Sequence, residues 1–409
     1  MLFRLRMIAA LLGLGIAHAL PSPSYAGEAA SGELSGYAAL DARLFARAPL
    51  FSDQSKNRLN PSLVLRPELS WQWNGGDDRI DLVPFARLDS VDVQRRHVDF
   101  REFKFSHFDD GWDIKIGNDK VFWGVTESRH LVDIVNQTDA VEDVDGEDKL
   151  GQPMINLGIQ RDWGDLNLIA MPTFRERSFA GPDGRPGSGT PIDTDRAFYE
   201  NSRGRHHPDF ALRYGTVIGD WDLGLSHFHG TSREPTFIDG VNDTGADIKV
   251  PRYDIIEQSG LDVQVTLEEW LWKMEGIVRS GQGKRFAATT VGFEYSFFGL
   301  IDETGDLGLL AEYHYDGRDG NAPSTAYDND LFVGLRATLN DIDDTNFLAG
   351  LLIDRITQAR IFSAEAATRL SDDWTFAGEL RIYDALSSKD PAYGARRDSH
   401  LQIRLARYF

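Results

Sequence analysis

Oily and polar side chains alternate along this chain in many short segments. From Ser62 to Trp73, Leu63, Leu65, Pro67, Leu69, Trp71 and Trp73 fall on one side, and Ser62, Arg66, Glu68, Ser70 and Gln72 on the other. Arg79 to Ser90 repeats the beat, with Ile80, Leu82, Pro84, Ala86 and Leu88 set against Asp81, Arg87 and Asp89. Leu331, Val333, Leu335, Ala337 and Leu339 alternate with Gly334, Arg336, Thr338 and Asn340, and Trp374, Phe376, Leu380 and Ile382 with Thr375, Glu379 and Arg381. The last segment, Ser399 to Phe409, opposes Leu401, Ile403, Leu405 and Phe409 to His400, Gln402, Arg404 and Ala406. A period of two is that of a strand with unlike faces. Its recurrence in segments of roughly ten residues between turn residues predicts an all-β fold, a transmembrane antiparallel up-and-down β-barrel. Charges of both signs on the inner phase imply a wet lumen, because a dry core would leave those ions unpaired.

The connections predict the topology. Short turns fall at Asn74-Gly75-Gly76-Asp77, Asp109-Asp110-Gly111, Asp162-Trp163-Gly164-Asp165, Gly219-Asp220, Leu267-Glu268, Asn340 to Asp344 and Ser371-Asp372-Asp373, with a longer one from Phe298 to Gly305. Long polar connections at 47–61, 119–153, 176–208, 232–254, 317–328 and 386–398 lie between them. Short periplasmic turns and long extracellular loops are the outer-membrane pattern, and they close consistently at about eighteen strands. Trp71, Trp73, Trp112, Trp163, Trp221, Trp270, Trp272 and Trp374 sit at or beside the short turns, as an aromatic girdle at one membrane interface would. Trp123 is the exception. Pro67 and Pro84 fall inside strands, where a missing N–H costs a ladder bond, and suggest a bulge.

The N-terminus reads as a signal peptide over residues 1–26. Arg4 and Arg6 precede the apolar run Met7 to Ile16, and Ser24-Tyr25-Ala26 offers small residues for cleavage. The barrel is expected to occupy 27–409. No later apolar segment is long enough to span as a helix, and the absence of cysteine excludes disulfide and thiol chemistry. The formal charge of −21 becomes two units more negative once Arg4 and Arg6 are removed. That acidity argues against nucleic acid as a partner and suits a surface beside outer-membrane lipid and lipopolysaccharide.

Function is expected in the third external connection, 119–153. It carries Val121-Phe122-Trp123-Gly124 and Leu131-Val132-Asp133-Ile134-Val135-Asn136, then a dense acidic run, then Gly151-Gln152-Pro153. Apolar residues in such a loop need packing, and the nearest place is the lumen of a barrel too wide for wall side chains to fill. The loop is therefore expected to fold inward as a constriction carrying Asp133, Asp139, Glu142, Asp143, Asp145, Glu147 and Asp148. Opposing it, Arg66, Lys104, Lys115, Arg213, Arg336, Arg369, Arg381 and Arg404 would form a basic lumen wall, the pair setting up a transverse field. Asp143-Val144-Asp145-Gly146 departs from the calcium-loop pattern at Val141, so no metal site is expected.

From Phe100-Arg101-Glu102-Phe103 through Trp112-Asp113-Ile114-Lys115-Ile116-Gly117 and Trp123-Gly124 to Gln152-Pro153, the chain resembles a poorly characterised porin-like outer-membrane family of Gram-negative bacteria. It is similar in strand number and plan to the alginate-export family, for which a strongly cationic lumen is expected; the mixed inner face here counts against that substrate. The resemblance implies a passive or weakly selective channel for small hydrophilic solutes in the cell outer membrane. Alternatives are a polysaccharide export conduit and a barrel enzyme. Porins often form homo-oligomers, though no interface stands out in this sequence. Histidines are scattered, and only His206-His207 cluster, so no catalytic set and no cofactor is expected.

Overall fold

The computed structural model describes residues 30–409 apart from 188 and 386, so the expected signal peptide lies outside the described residues. Eighteen strands, from Ser31–Phe45 to His400–Tyr408, form one sheet in which each barrel strand pairs antiparallel with its neighbours along the chain. The first and last strands also pair, from Tyr37 opposite Tyr408 to Phe45 opposite His400, and this closes the barrel. Closure leaves no strand edge unpaired. Three further short strands, Phe198–Tyr199, Thr236–Val241 and Asp247–Tyr253, make a separate sheet within two of the connections.

The two-residue beat becomes an inside and an outside. In the last strand Leu401 and Ile403 are exposed outward, while His400 and Ala406 are buried. In Asp78–Asp89, Ile80 and Leu88 face out, and Asp81, Val83, Phe85, Arg87 and Asp89 are buried inside. At one end of the barrel the strand connections run from two residues, as between Asp109 and Trp112, to seven, between Thr338 and Asn346. The turn expected from Phe298 to Gly305 is shorter: Phe286–Ile301 runs on past a register shift after Phe297, leaving only Asp302, Glu303 and Thr304 between strands. Side chains of Trp163, Trp221, Trp270 and Trp272 are exposed near this end, and Trp270 stacks on Trp272 with centroids 5.5 Å apart.

The two strand prolines have physical roles. Opposite Pro84 the ladder skips: Val83 pairs with Glu102 but Pro84 pairs with Phe100, leaving Arg101 as the extra residue of a bulge. Proline cannot donate to the ladder, and a bulge at that point re-aims a side chain. The re-aimed residue is Arg101, buried and directed inward. Pro67 lies opposite Gly36 (φ +138°), whose Cβ would come within 2.4 Å of the Arg66 carbonyl oxygen and 2.7 Å of Pro67 Cα. Only glycine permits that approach.

Gly36→Val is therefore expected to cost about 2 kcal/mol or more through backbone strain and collision. Urea titration of the detergent-folded protein should show a lower midpoint, and an unchanged midpoint would refute the close-approach account.

Candidate functional site

The connection after Trp112–Asp119 runs to Gln152 and fills the barrel interior. Trp123, Leu131, Val132, Ile134 and Val135 are buried in one cluster with inward side chains of the wall, among them Met154, Ile169, Met171, Phe228, Ile256, Ile277 and Phe286. Trp123, the one indole away from the short turns, is thus a core residue of this plug. Burying about five large apolar side chains contributes roughly 1.5–3 kcal/mol each, enough to hold a loop of this length in one place.

Backbone N–H groups of the plug find wall carboxylates. Glu275 accepts from the amides of Val125 (2.7 Å), Thr126 (3.0 Å) and Val132 (3.1 Å), and from Thr126 Oγ1. Glu312 accepts from the amides of Glu127 (2.6 Å) and Ser128 (2.9 Å) and from Ser128 Oγ (2.6 Å). Buried carboxylates in a wet-looking strand pattern thus serve as caps for an irregular segment that has no ladder of its own.

The acidic run meets a basic wall, built largely from residues outside the predicted set. Asp139 pairs with Arg101 at 2.6 Å and accepts from Ser178 Oγ. Glu142 pairs with Arg87 at 2.6 Å, and Arg87 also holds Asp41 at 2.8 Å. The Glu142 carbonyl accepts from Arg43, and the Val141 carbonyl from Arg95 at 3.1 Å. Asp143 lies between Arg43 (3.3 Å) and Arg381 (3.4 Å), and Asp145 is 3.1 Å from Arg381. Glu147 faces His130 at 3.2 Å, and Asp133 faces Lys149 at 3.0 Å. Of the eight basic residues singled out from the sequence, Arg381 alone reaches the acidic run. Arg336 reaches the plug at Glu127 instead (2.6 Å).

The other six are tied to the wall: Arg66 to Glu68, Lys104 to Glu102 and Asp119, Lys115 to Asp113, Arg213 to Asp262, Arg369 to Asp344 and Arg404 to Asp41. A continuous opposing wall of those eight does not form, because these six are already matched by a carboxylate two residues away, on a nearby strand or, for the exposed Arg369, in the adjacent turn. The missed residues are Arg43, Arg87, Arg95 and Arg101. Their common signal is position: Arg43 and Arg87 lie at the ends of their strands, and Arg95 and Arg101 on either side of the start of His97–Asp109, all toward the end from which the plug descends.

Electrostatics tune the plug. Burial would raise Glu142, yet Arg87 holds its carboxyl below the ordinary range. Burial likewise opposes, and Arg381 with Arg43 overcomes, the shift at Asp143, which is also held low. Burial beside Asp143 pushes Asp145 up, and burial beside Glu142, Asp145 and Asp143 pushes Asp148 up to about 6. Burial would lower His130, but Glu147 and Glu275 more than offset it and push it up to about 10. His97 with Asp139 and Glu142, and Asp143 with Asp145 and Glu379, bring possible ligand atoms within 4.8 Å of one another. Guanidinium groups already occupy both sets, Arg101 and Arg87 on the first and Arg43 and Arg381 on the second. Ser128 Oγ lies 2.9 Å from His314 Nε2, whose Nδ1 is 3.0 Å from Thr290 Oγ1.

Cavities remain on both sides of the plug. One of about 330 Å³ lies between residues 128–149 and the connections bearing Glu234 and Arg318. Another of about 570 Å³ lies below, lined by Val125, Arg213 and Asp262.

No family model matches the chain, and no curated protein does. Among solved structures, a BenF-like porin from Pseudomonas fluorescens Pf-5 aligns with TM-score 0.53 at 8% identity, covering 93% of this chain and 98% of that one. Wzi of Escherichia coli, described as an outer-membrane protein involved in group 1 capsule assembly and a carbohydrate-binding β-barrel, aligns with TM-score 0.50 at 8% identity, covering 90% and 83%.

Two outcomes test the electrostatic picture. Arg87→Gln should destabilise the folded protein by about 3–5 kcal/mol by leaving Glu142 buried without its guanidinium and Asp41 with Arg404 alone, read from the urea midpoint. The raised pKa of Asp148 favours folding below its ordinary 3.8, and that contribution is lost as pH rises through about 6. Asp148→Asn should thus slow proteolysis within 138–149 at pH 7.5 and change nothing at pH 4; equal effects at both would contradict it. By these distances, pairing and depth, the chain shares the fold of porin-like β-barrels and carries a buried, charge-matched internal plug.

Proposed function

We propose that this protein is an outer-membrane, porin-like channel for small hydrophilic solutes, with the segment inside its barrel acting as the constriction. The observation that carries the reading is the pairing of an apolar outer face with an ionised inner face that still encloses cavities on both sides of the plug. Strands of this kind bury their outward side chains in lipid and keep the interior hydrated. In this reading the tight turns are periplasmic, the long connections meet lipopolysaccharide, and solutes pass between plug and wall, sorted by the charges there. Homo-oligomers fit the reading without a particular interface being assigned.

The proposal gives the chain no catalysis. Ser128 and His314 are near enough to form a nucleophile and base, but the Ser128 hydroxyl and amide are both engaged by Glu312. The pair instead fastens the plug. A second reading, a closed, plugged barrel, is favoured by the packing of the plug against wall residues of several strands.

Planar-bilayer recording separates the two. The folded protein should show small, discrete openings, and deletion of residues 138–149 should raise their conductance several-fold. Silence from the full-length protein and from the deletion would leave the closed barrel standing and remove the channel.

A further inference from the structure

Above the plug, the cavity of about 330 Å³ has two unlike sides. On the plug side each lining carboxylate is held in an ion pair: Asp133 with Lys149, Glu147 with His130, and Asp145 with Arg381, which it shares with Asp143 and Glu379. On the opposite side the balance is reversed. Arg279 and Arg318 converge on one carboxylate, Glu234. Arg318 also holds Asp316 (2.8 Å), which Arg129 reaches from the plug (2.6 Å). Arg177 lines the same space with no ion pair among the described residues; its side chain makes one long hydrogen bond, from Nε to Gln137 Oε1 at 3.4 Å.

A guanidinium is a planar donor fork suited to a carboxylate, and one left without an anion beside a cavity is a vacancy for such a group. Glu234 already illustrates the fit. Burial would raise its carboxyl, yet Arg279 and Arg318, with Arg129 and Arg177 behind them, hold it well below the ordinary range. It is a resident anion, carried by the connection at 232–254 into a basic cluster with room beside it.

We propose that this cavity is a binding site for a hydroxylated monocarboxylate of monosaccharide size, an acidic sugar, whose carboxylate takes Arg177 and competes with Glu234 for Arg279. The ligand's hydroxyl groups meet polar side chains of the plug and the facing connection, among them Asn136, Thr138 and Ser324. A zwitterion is disfavoured, because the plug-side carboxylates that line the cavity are all already in ion pairs, Asp145 through the shared Arg381, whereas Arg177 is not. The volume lies at the lower end for small-molecule sites and suits one sugar ring. The assignment deepens the channel reading by naming the solute class, and rests on it for transport but not for binding.

Calorimetric titration of the full-length mature protein, folded in detergent, tests it with sodium galacturonate, galactose and alanine. Galacturonate should bind at least tenfold tighter than galactose, and alanine no tighter than galactose. Arg177→Gln should weaken galacturonate about tenfold, the scale of one charge-assisted hydrogen-bonded contact, and leave galactose unchanged. Glu234→Gln should tighten galacturonate several-fold by releasing Arg279 and Arg318, and this variant decides the matter if Arg177→Gln does not fold. Equal binding of galacturonate and galactose, a preference for alanine, or indifference to Glu234→Gln would each overturn the site. Galacturonate binding in a protein without conductance would uphold the site and remove the channel.

Discussion

Closure is the constraint on which everything else depends. The hydrogen-bonded seam between Ser31–Phe45 and His400–Tyr408 satisfies the last free strand edges. In an apolar surrounding an unpaired backbone amide costs several kcal/mol, so a sheet of this kind is stable only as a ring. A ring of eighteen strands encloses more space than its own side chains can occupy. The interior must then hold water, be filled by another segment, or both. In this chain a segment packs inside and cavities remain beside it.

Filling the interior with chain raises a second problem, since the plug has no ladder to satisfy its amides and carries a dense set of acids. Wall carboxylates solve the first part: Glu275 and Glu312 collect five plug amides between them. Wall guanidinium groups solve the second, with Arg43, Arg87, Arg101 and Arg381 distributed over Asp139, Glu142, Asp143 and Asp145. Buried ion pairs of this sort add little net stability over apolar packing, because desolvation offsets attraction. They specify one seat for the plug, since any shift would leave a charge buried alone.

The same economy of charge gives the cavities their character. Where every acid has its cation, the surface offers a solute only weak polar contacts. Around Glu234 the cations outnumber their partners, and Arg177 has no ion pair among the described residues. In the proposed site it is this local imbalance, and not the overall acidity of the chain, that would attract an anionic solute.

Strand existence, phase and number were legible in the sequence because the side-chain period of two is a local property, repeated often enough to be unmistakable. The apolar runs around Trp123 and Leu131–Val135 also betrayed a connection that packs inside. What the plug touches was not legible. A single bulge at Arg101 re-aims one side chain and resets the phase after it, and nothing in the run Phe100 to Phe103 fixes where the extra residue falls; the ladder opposite Pro84 does. Sequence alone thus determined that the chain is a barrel with charged residues inside and an acidic, partly apolar segment to house there. Only the tertiary structure decided which cations meet which acids, because partners such as Arg381 and Asp145 lie 236 residues apart and are brought together by closure of the ring.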